Sequence, residues 1–175
     1  HEFLSVCSHV ELNYKLFITS DAFAKWMSLR RIRAIAIKFT NSAIVSGCKM
    51  NFSMLKSLDL RFSQRVTNEI VLTILQAAPK LETLFLERNI ELDDEVMDVI
   101  AQYAPKLKNL ACTDLKISEL GVRRLVDAQS LEKVVLQNCE SAFGELAFDS
   151  VNCSLTDKFG KKFSLSRYIP RNMGE

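Results

Sequence analysis

The sequence predicts an α/β fold in which strand–helix units stack side by side, with a parallel sheet on the concave side and helices outside. The first observation is a pattern of apolar residues, LxxLxL, that recurs along the 175-residue chain. It begins at residues 32, 55, 81, 107 and 131, so successive matches lie 23, 26, 26 and 24 residues apart. Five matches at nearly constant spacing are typical of an internal repeat. The second observation is a helical pattern between the matches.

Each LxxLxL match predicts a short strand. In LKSLDL and LETLFL, the last two apolar residues alternate with polar ones, which is the period of a strand buried on one face. The remaining matches follow the same rule: Ile32-Ile35-Ile37, Leu107-Leu110-Cys112 and Leu131-Val134-Leu136. We therefore expect about five parallel strands.

The segments between the strands predict amphipathic helices. Apolar residues at three-to-four spacing form the expected buried stripes: Val66, Ile70, Ile74 and Leu75 in one segment, and Val96, Val99 and Ile100 in the next. Asp93 and Asp94 precede the second stripe, where acidic or capping side chains favour a helix start. Pro79 and Pro105, in the phrases AAPKL and YAPKL, end both helices. A strand and a helix alone enclose no core, so the units must stack.

The repeat resembles the cysteine-containing leucine-rich repeats of F-box substrate receptors in ubiquitin ligases. Asn89 and Cys139 occupy the C/N position of the consensus LxxLxLxx(C/N)xxIT(D/N), and residues 66–68 match its ITD element. Ser63 and Leu115 depart from the C/N position, and alanines replace the cysteine before proline. The resemblance covers roughly residues 10–140. It implies a leucine-rich repeat solenoid, a right-handed arc like ribonuclease inhibitor, that serves as a non-enzymatic protein–protein interaction module.

The repeat also suggests how the chain is divided. Residues 1–31 are interpreted as a divergent N-terminal capping repeat, residues 32–150 as leucine-rich repeats, and residues 151–175 as a C-terminal capping segment or a basic and aromatic tail. An alternative for LSVCSHVELNYKLF is the tail of an F-box. Phe143, Leu146, Ala147 and Phe148 suggest a last helix.

Composition excludes several function classes. A hydrophobic fraction of 48% and a charged fraction of 25% are typical of a soluble globular protein, and a net charge of +2 attracts neither nucleic acid nor anionic lipid. No apolar run approaches the ~18 residues of a membrane span. Five cysteines without a CxxC pair favour reduced thiols in the cytoplasm or nucleus, or in mitochondria if a presequence has been removed.

The sequence offers little chemistry for catalysis. Its two histidines are His1 and His9, its five glycines are scattered, and no nucleophile motif occurs. Residues 93–95 could form a cation site, but an acidic helix start explains them better. We therefore expect no enzyme, no cofactor and no metal.

The expected binding site is the concave face, where the third, fifth and seventh positions of each repeat point away from the core. These positions form three lanes: Ala34, Ser57, Thr83, Asn109 and Lys133; Ala36, Asp59, Phe85, Ala111 and Val135; and Lys38, Arg61, Glu87, Thr113 and Gln137. The middle lane is unusually apolar and has an aromatic residue at its centre, as a protein-binding surface requires. The predicted partner-binding residues are Asp59, Arg61, Phe85, Glu87, Ala111, Thr113 and Val135. Alternatively, Phe85 only satisfies strand propensity.

Two hypotheses about the binding function remain open at this point. The first is the substrate-recognition part of a ubiquitin-ligase receptor, and the second is a small scaffolding subunit of a stable assembly, such as a mitochondrial one. A second candidate surface is the tail, where Lys158, Lys161, Lys162, Arg167 and Arg171 are interleaved with Phe159, Phe163 and Tyr168. Such a segment can bind RNA, but folding over the last repeat or docking on another subunit is the preferred interpretation.

Overall fold

A computed structural model describes residues 9–12, 33–37, 52–63, 65–125, 128, 130–137, 139 and 163–166. Within these residues the chain forms seven strands and three helices. The strands are β1 (His9–Leu12), β2 (Ala34–Ile37), β3 (Ser57–Asp59), β4 (Thr83–Glu87), β5 (Asn109–Thr113), β6 (Lys133–Gln137) and β7 (Phe163–Ser166). The helices are α1 (Asn68–Ala77), α2 (Glu95–Tyr103) and α3 (Glu119–Arg124). Lys38, the helix expected at residues 143–148 and the basic side chains of the tail lie outside the described residues.

All seven strands form one parallel sheet, and their order in the sheet is their order in the chain. The predicted α/β class is confirmed in this respect, since α1, α2 and α3 connect successive strands from β3 to β6. Strands β2 to β6 coincide with the five LxxLxL matches. Strands β1 and β7 are two more than the pattern predicts, and β7 pairs with β6 through Val134↔Phe163.

The register follows the repeat spacing. Ser57 pairs with Thr83, and Thr83 pairs with Asn109, so residues 26 positions apart in sequence are neighbours in the sheet. The next repeat begins after 24 residues instead of 26, but equivalent positions still pair, since Asn109 pairs with Lys133. Equivalent positions of successive repeats therefore form straight rows across the sheet.

The core lies between the sheet and the helices. The fourth and sixth positions of the repeats are fully buried: Leu58, Leu60, Leu84, Leu86, Leu110, Cys112, Val134 and Leu136. They belong to one cluster with the apolar stripes of the helices, which include Ile74, Val96, Ile100 and Val122. Burying these side chains contributes roughly 1.5–3 kcal/mol each before the entropy cost of ordering them. The helices therefore cover one face of the sheet.

A short polar side chain begins each helix. The Thr67 hydroxyl accepts a hydrogen bond from the Ile70 amide at 3.4 Å, and the Ser118 hydroxyl accepts one from the Leu120 amide at 3.2 Å. In α2 the same task falls to a carboxylate oxygen of Asp93, which accepts from the Glu95 amide at 3.0 Å. Each contact satisfies a backbone donor that the helix itself leaves without a partner.

The C/N position is buried in all four repeats where it is described, namely at Ser63, Asn89, Leu115 and Cys139. The Asn89 amide nitrogen donates to the carbonyls of Leu60 and Ser63 in the preceding repeat, both at 2.9 Å. The Cys139 thiol makes the equivalent contact with the carbonyl of Cys112 at 3.8 Å. A donor at this position therefore links one repeat to the previous one.

The helix starts also contact one another. The Asn68 amide donates to Asp93 Oδ1 at 2.7 Å, and the Ser118 amide donates to Asp94 Oδ1 at 2.6 Å, while the Ser118 hydroxyl donates to Asp94 Oδ2. Asp93 and Asp94 thus act as acceptors between neighbouring helices. This packing leaves no room at Gly121, where an added Cβ would lie 2.4 Å from Asp94 Oδ1.

None of the helices in the described part of the chain has the length and apolar character needed to cross a membrane.

Candidate functional site

The face of the sheet opposite the helices carries the residues that the sequence predicts for binding. We call it the open face and define it by the third, fifth and seventh positions of β3 to β6 together with Arg61, which follows β3. Its other members are Ser57, Asp59, Thr83, Phe85, Glu87, Asn109, Ala111, Thr113, Lys133, Val135 and Gln137. All are half-buried or exposed, whereas their strand neighbours are buried. The period of two along each strand therefore separates this face from the core.

The middle row of the open face runs straight across four strands. Asp59 pairs with Phe85, Phe85 with Ala111, and Ala111 with Val135. All four side chains are half-buried. Because alanine carries only a methyl group, the Ala111 side chain is shorter than the Phe85 and Val135 side chains on either side of it, and we refer to this position as the depression at Ala111.

Arg61 covers part of Phe85. Its guanidinium carbon lies 5.5 Å from the centroid of the ring, within the range of a cation–π contact. The same guanidinium donates to both carboxylate oxygens of Asp59, with Nη2 at 2.6 Å from Oδ2 and Nε at 3.0 Å from each oxygen. The hydrogen bond to Asp59 raises the pKa of Arg61 above its ordinary value, with smaller contributions from the charges of Asp59 and Glu87. Asp59, Arg61 and Phe85 therefore form one connected cluster.

Glu87 lies in the next row, where it pairs with Thr113, and Thr113 pairs with Gln137. Its carboxylate forms no ion pair with another described residue, and it acts on Arg61 only through its charge. At the other end of the strands, the Asn109 amide donates to the Thr83 hydroxyl at 3.3 Å, and Lys133 is exposed. Lys133 likewise forms no ion pair within the described part of the chain. The structure thus brings all seven predicted site residues onto one surface.

A second arginine–phenylalanine pair lies beyond the ends of the strands. Arg88 lies over the ring of Phe62 at 5.6 Å and forms an ion pair with Asp114 at 3.0 Å. Phe62, Arg88 and Asp114 occupy the eighth position of their repeats, and all three have a positive φ, of 62°, 52° and 54°. Sequence reasoning missed this feature because no glycine marks these positions.

A row of alternating charges precedes the strands. Lys56 and Lys108 flank Glu82, with nitrogen–oxygen distances of 2.5 and 3.9 Å. The hydrogen bond from Lys56 lowers the pKa of Glu82 below its ordinary value. These side chains are partly exposed, so the row contributes little to stability and mainly sets the charge pattern of this edge.

The described residues hold no group of three or more histidine, cysteine or acidic side chains placed to bind a metal ion. The thiols of Cys112 and Cys139 are both buried. Burial raises the pKa of the Cys112 thiol well above its ordinary value, and the neighbouring Cys139 raises it further. A thiol that stays protonated is a poor nucleophile.

Comparison with protein-family models gives no match for this chain, and comparison with curated proteins gives no similar sequence.

Proposed function

We propose that this chain is a protein–protein interaction module of the leucine-rich repeat type, an arc-shaped solenoid that binds a protein partner on its open face. The observation that carries the proposal is the middle row, in which an aromatic side chain stands between a small apolar depression and a fixed arginine–aspartate pair. Binding energy at protein interfaces is concentrated in aromatic and arginine side chains near the centre of the contact.

The open face also has the composition expected of such a surface. Phe85, Ala111 and Val135 supply apolar area, and the hydroxyl and amide groups of Thr83, Asn109 and Thr113 surround it. Polar groups at the rim of an apolar centre fix the orientation of a partner and exclude water from the contact. The arrangement therefore supports the binding of a protein partner.

The resemblance to the repeats of F-box receptors extends the proposal to a biological role. In that role the open face holds the substrate of a ubiquitin ligase. This extension depends on the sequence resemblance alone, since a fold can serve many functions.

The test begins with the partner, which affinity purification and mass spectrometry would identify, and continues with binding measurements on two matched variants. Phe85→Ala removes the central aromatic side chain and is expected to weaken binding about thirty-fold, which corresponds to about 2 kcal/mol. Phe62→Ala removes a ring that is also covered by an arginine but lies outside the open face, so it is expected to bind like the unaltered protein.

Normal binding by Phe85→Ala contradicts the proposed site. If deletion of residues 155–175 abolishes binding while Phe85→Ala does not affect it, the C-terminal segment is the interface instead. Circular dichroism of each variant is the control for folding. An unchanged spectrum shows that a loss of binding does not come from a loss of structure.

A further inference from the structure

Two charges on the open face have no ion-pair partner among the described residues, and they have opposite signs. Glu87 lies at the carboxyl end of β4, whereas Lys133 lies at the amino end of β6. Every other charge on this face is neutralised, since Asp59 and Arg61 bind each other. Among the described residues, the open face therefore carries one negative and one positive charge without an ion-pair partner, at opposite ends of the strands.

Ala111 is at the midpoint of the diagonal between these two charges. Glu87 is the seventh residue of its repeat, Ala111 the fifth and Lys133 the third, and they stand on three adjacent strands. With strands about 4.8 Å apart and a rise of about 3.3 Å per residue, the diagonal is about 16 Å long and Ala111 is about 8 Å from each end. The apolar depression thus lies between the two charges.

We propose that the open face binds an extended protein segment that places an apolar side chain over Ala111, a basic side chain at Glu87 and an acidic side chain at Lys133. In an extended segment, side chains on one face recur every second residue, so residues i and i+4 are about 13 Å apart at their backbones. The diagonal of about 16 Å is longer than this separation, and long side chains such as lysine, arginine and glutamate cover the difference. The segment thus has the form charged–x–apolar–x–charged, with opposite charges at its ends. This inference rests on the proposed function, because it specifies the partner's chemistry at the same face.

The segment can run in either direction along the diagonal. A segment that begins with the basic residue and one that begins with the acidic residue satisfy the same two charges when they run in opposite directions. The two end residues of the segment must therefore carry opposite charges, and the experiment tests this requirement.

Selection from a displayed library of random peptides against the full chain tests the charge pattern. The unaltered protein is expected to enrich peptides with opposite end charges about ten-fold over peptides with like end charges. Two exposed ion pairs together contribute about 1.4 kcal/mol, which corresponds to this factor. Glu87→Lys makes both corners positive and is expected to shift enrichment to peptides with two acidic ends. Lys133→Glu is expected to shift it to peptides with two basic ends.

The double variant Glu87→Lys with Lys133→Glu is the decisive arm, because it restores opposite charges and is expected to restore the original preference. Ala111→Leu fills the depression and is expected to remove the enrichment without a change of charge. Glu91→Lys, an exposed charge reversal outside the open face, is the matched control and is expected to leave the preference unchanged.

Absence of any enrichment overturns the inference, and so does a preference that the single charge reversals do not change. Phe85→Ala distinguishes failure of the charge pattern from failure of the proposed function. If Phe85→Ala removes enrichment while Glu87→Lys does not alter the motif, the open face is a binding site but the charge pattern is wrong. If neither Phe85→Ala nor Glu87→Lys changes the enriched peptides, the open face is not the site and the proposed function itself fails.

Discussion

Arg61 lies over the ring of Phe85, and the distance from its guanidinium carbon to the ring centroid is 5.5 Å. Asp59, two residues earlier on the same face, holds that guanidinium with short hydrogen bonds. One side of the aromatic ring is therefore in contact with Arg61 before any partner arrives. A side chain whose contacts are formed in advance loses less side-chain entropy on binding.

Leu84 tests the assignment of the two faces of the sheet. Its side chain is fully buried, so Leu84→Asp places an uncompensated charge in the shared core and is expected to cost more than about 4 kcal/mol. Thr83→Asp introduces the same carboxylate one residue earlier on the open face and is expected to cost less than about 1 kcal/mol. Circular dichroism and thermal melting measure both. Unchanged melting of Leu84→Asp would show that the register is wrong.

Asn89→Asp tests the link between repeats. The substitution turns a donor that serves two carbonyls into a carboxylate that repels them, so unfolding free energy is expected to fall by roughly 3 kcal/mol or more. Asn109→Asp is the matched control, because the Thr83 hydroxyl can donate to the new carboxylate. Urea denaturation compares the two variants, and equal losses would contradict the role assigned to Asn89.

Gly121→Ala is expected to destabilise the protein, although alanine normally favours a helix by about 1 kcal/mol over glycine. The new Cβ would lie 2.4 Å from Asp94 Oδ1 and 3.0 Å from a methyl carbon of Ile117. A double-mutant cycle with Asp94→Ala measures the clash directly, since Gly121→Ala should cost much less once the carboxylate is gone. A stabilising effect of Gly121→Ala in the unaltered protein would refute this packing.

Cys112 predicts a dependence of stability on alkaline pH. Burial raises the pKa of this thiol in the folded state, so above the unfolded pKa of about 8.5 the unfolded chain releases a proton that the folded chain keeps. Below that pH the thiol is protonated in both states and does not change the free energy of unfolding. Between pH 9 and 10 the free energy of unfolding then declines by about 1 kcal/mol per pH unit. Cys112→Val keeps the position apolar and is expected to show a shallower decline. Denaturation curves at several pH values give both slopes, and equal slopes would mean that Cys112 ionises in the folded protein.

The sequence predicted the division of the strands between core and open face because side-chain direction alternates strictly along a strand. Once the repeat spacing was known, Phe85 had to lie between Asp59 and Ala111, and the sheet has this register. Strands β1 and β7 were not predicted. The segment of β1 carries a weak form of the pattern in Cys7, Val10 and Leu12, and Val10 and Leu12 pair with Ile35 and Ile37 of β2. The segment of β7 has Gly160 at the first position of the pattern, so its pairing with β6 has no such local signal.

Contacts between side chains of different repeats were the other part that the sequence did not reveal. The ring contact of Arg61 depends on rotamers, which the pattern of residue types does not determine. The need for glycine at position 121 comes from Asp94 in the preceding repeat, so no feature of α3 itself indicates it. The proposed charge pattern of a partner depends on which charges of the open face are paired, and the ion pair between Asp59 and Arg61 is seen only in the structure.

The order of the strands has a consequence for how the chain folds as it is synthesised. Since each strand pairs with the one made just before it, a growing chain can add one strand–helix unit at a time to a sheet that already exists. The contacts formed at each step join segments roughly one repeat apart, which keeps the loop-closure cost low. During synthesis the newest strand always presents a fresh edge, the part of a sheet most prone to pair with another chain. Pairing of β7 with β6 covers the edge of β6 and makes β7 the last strand of the described sheet.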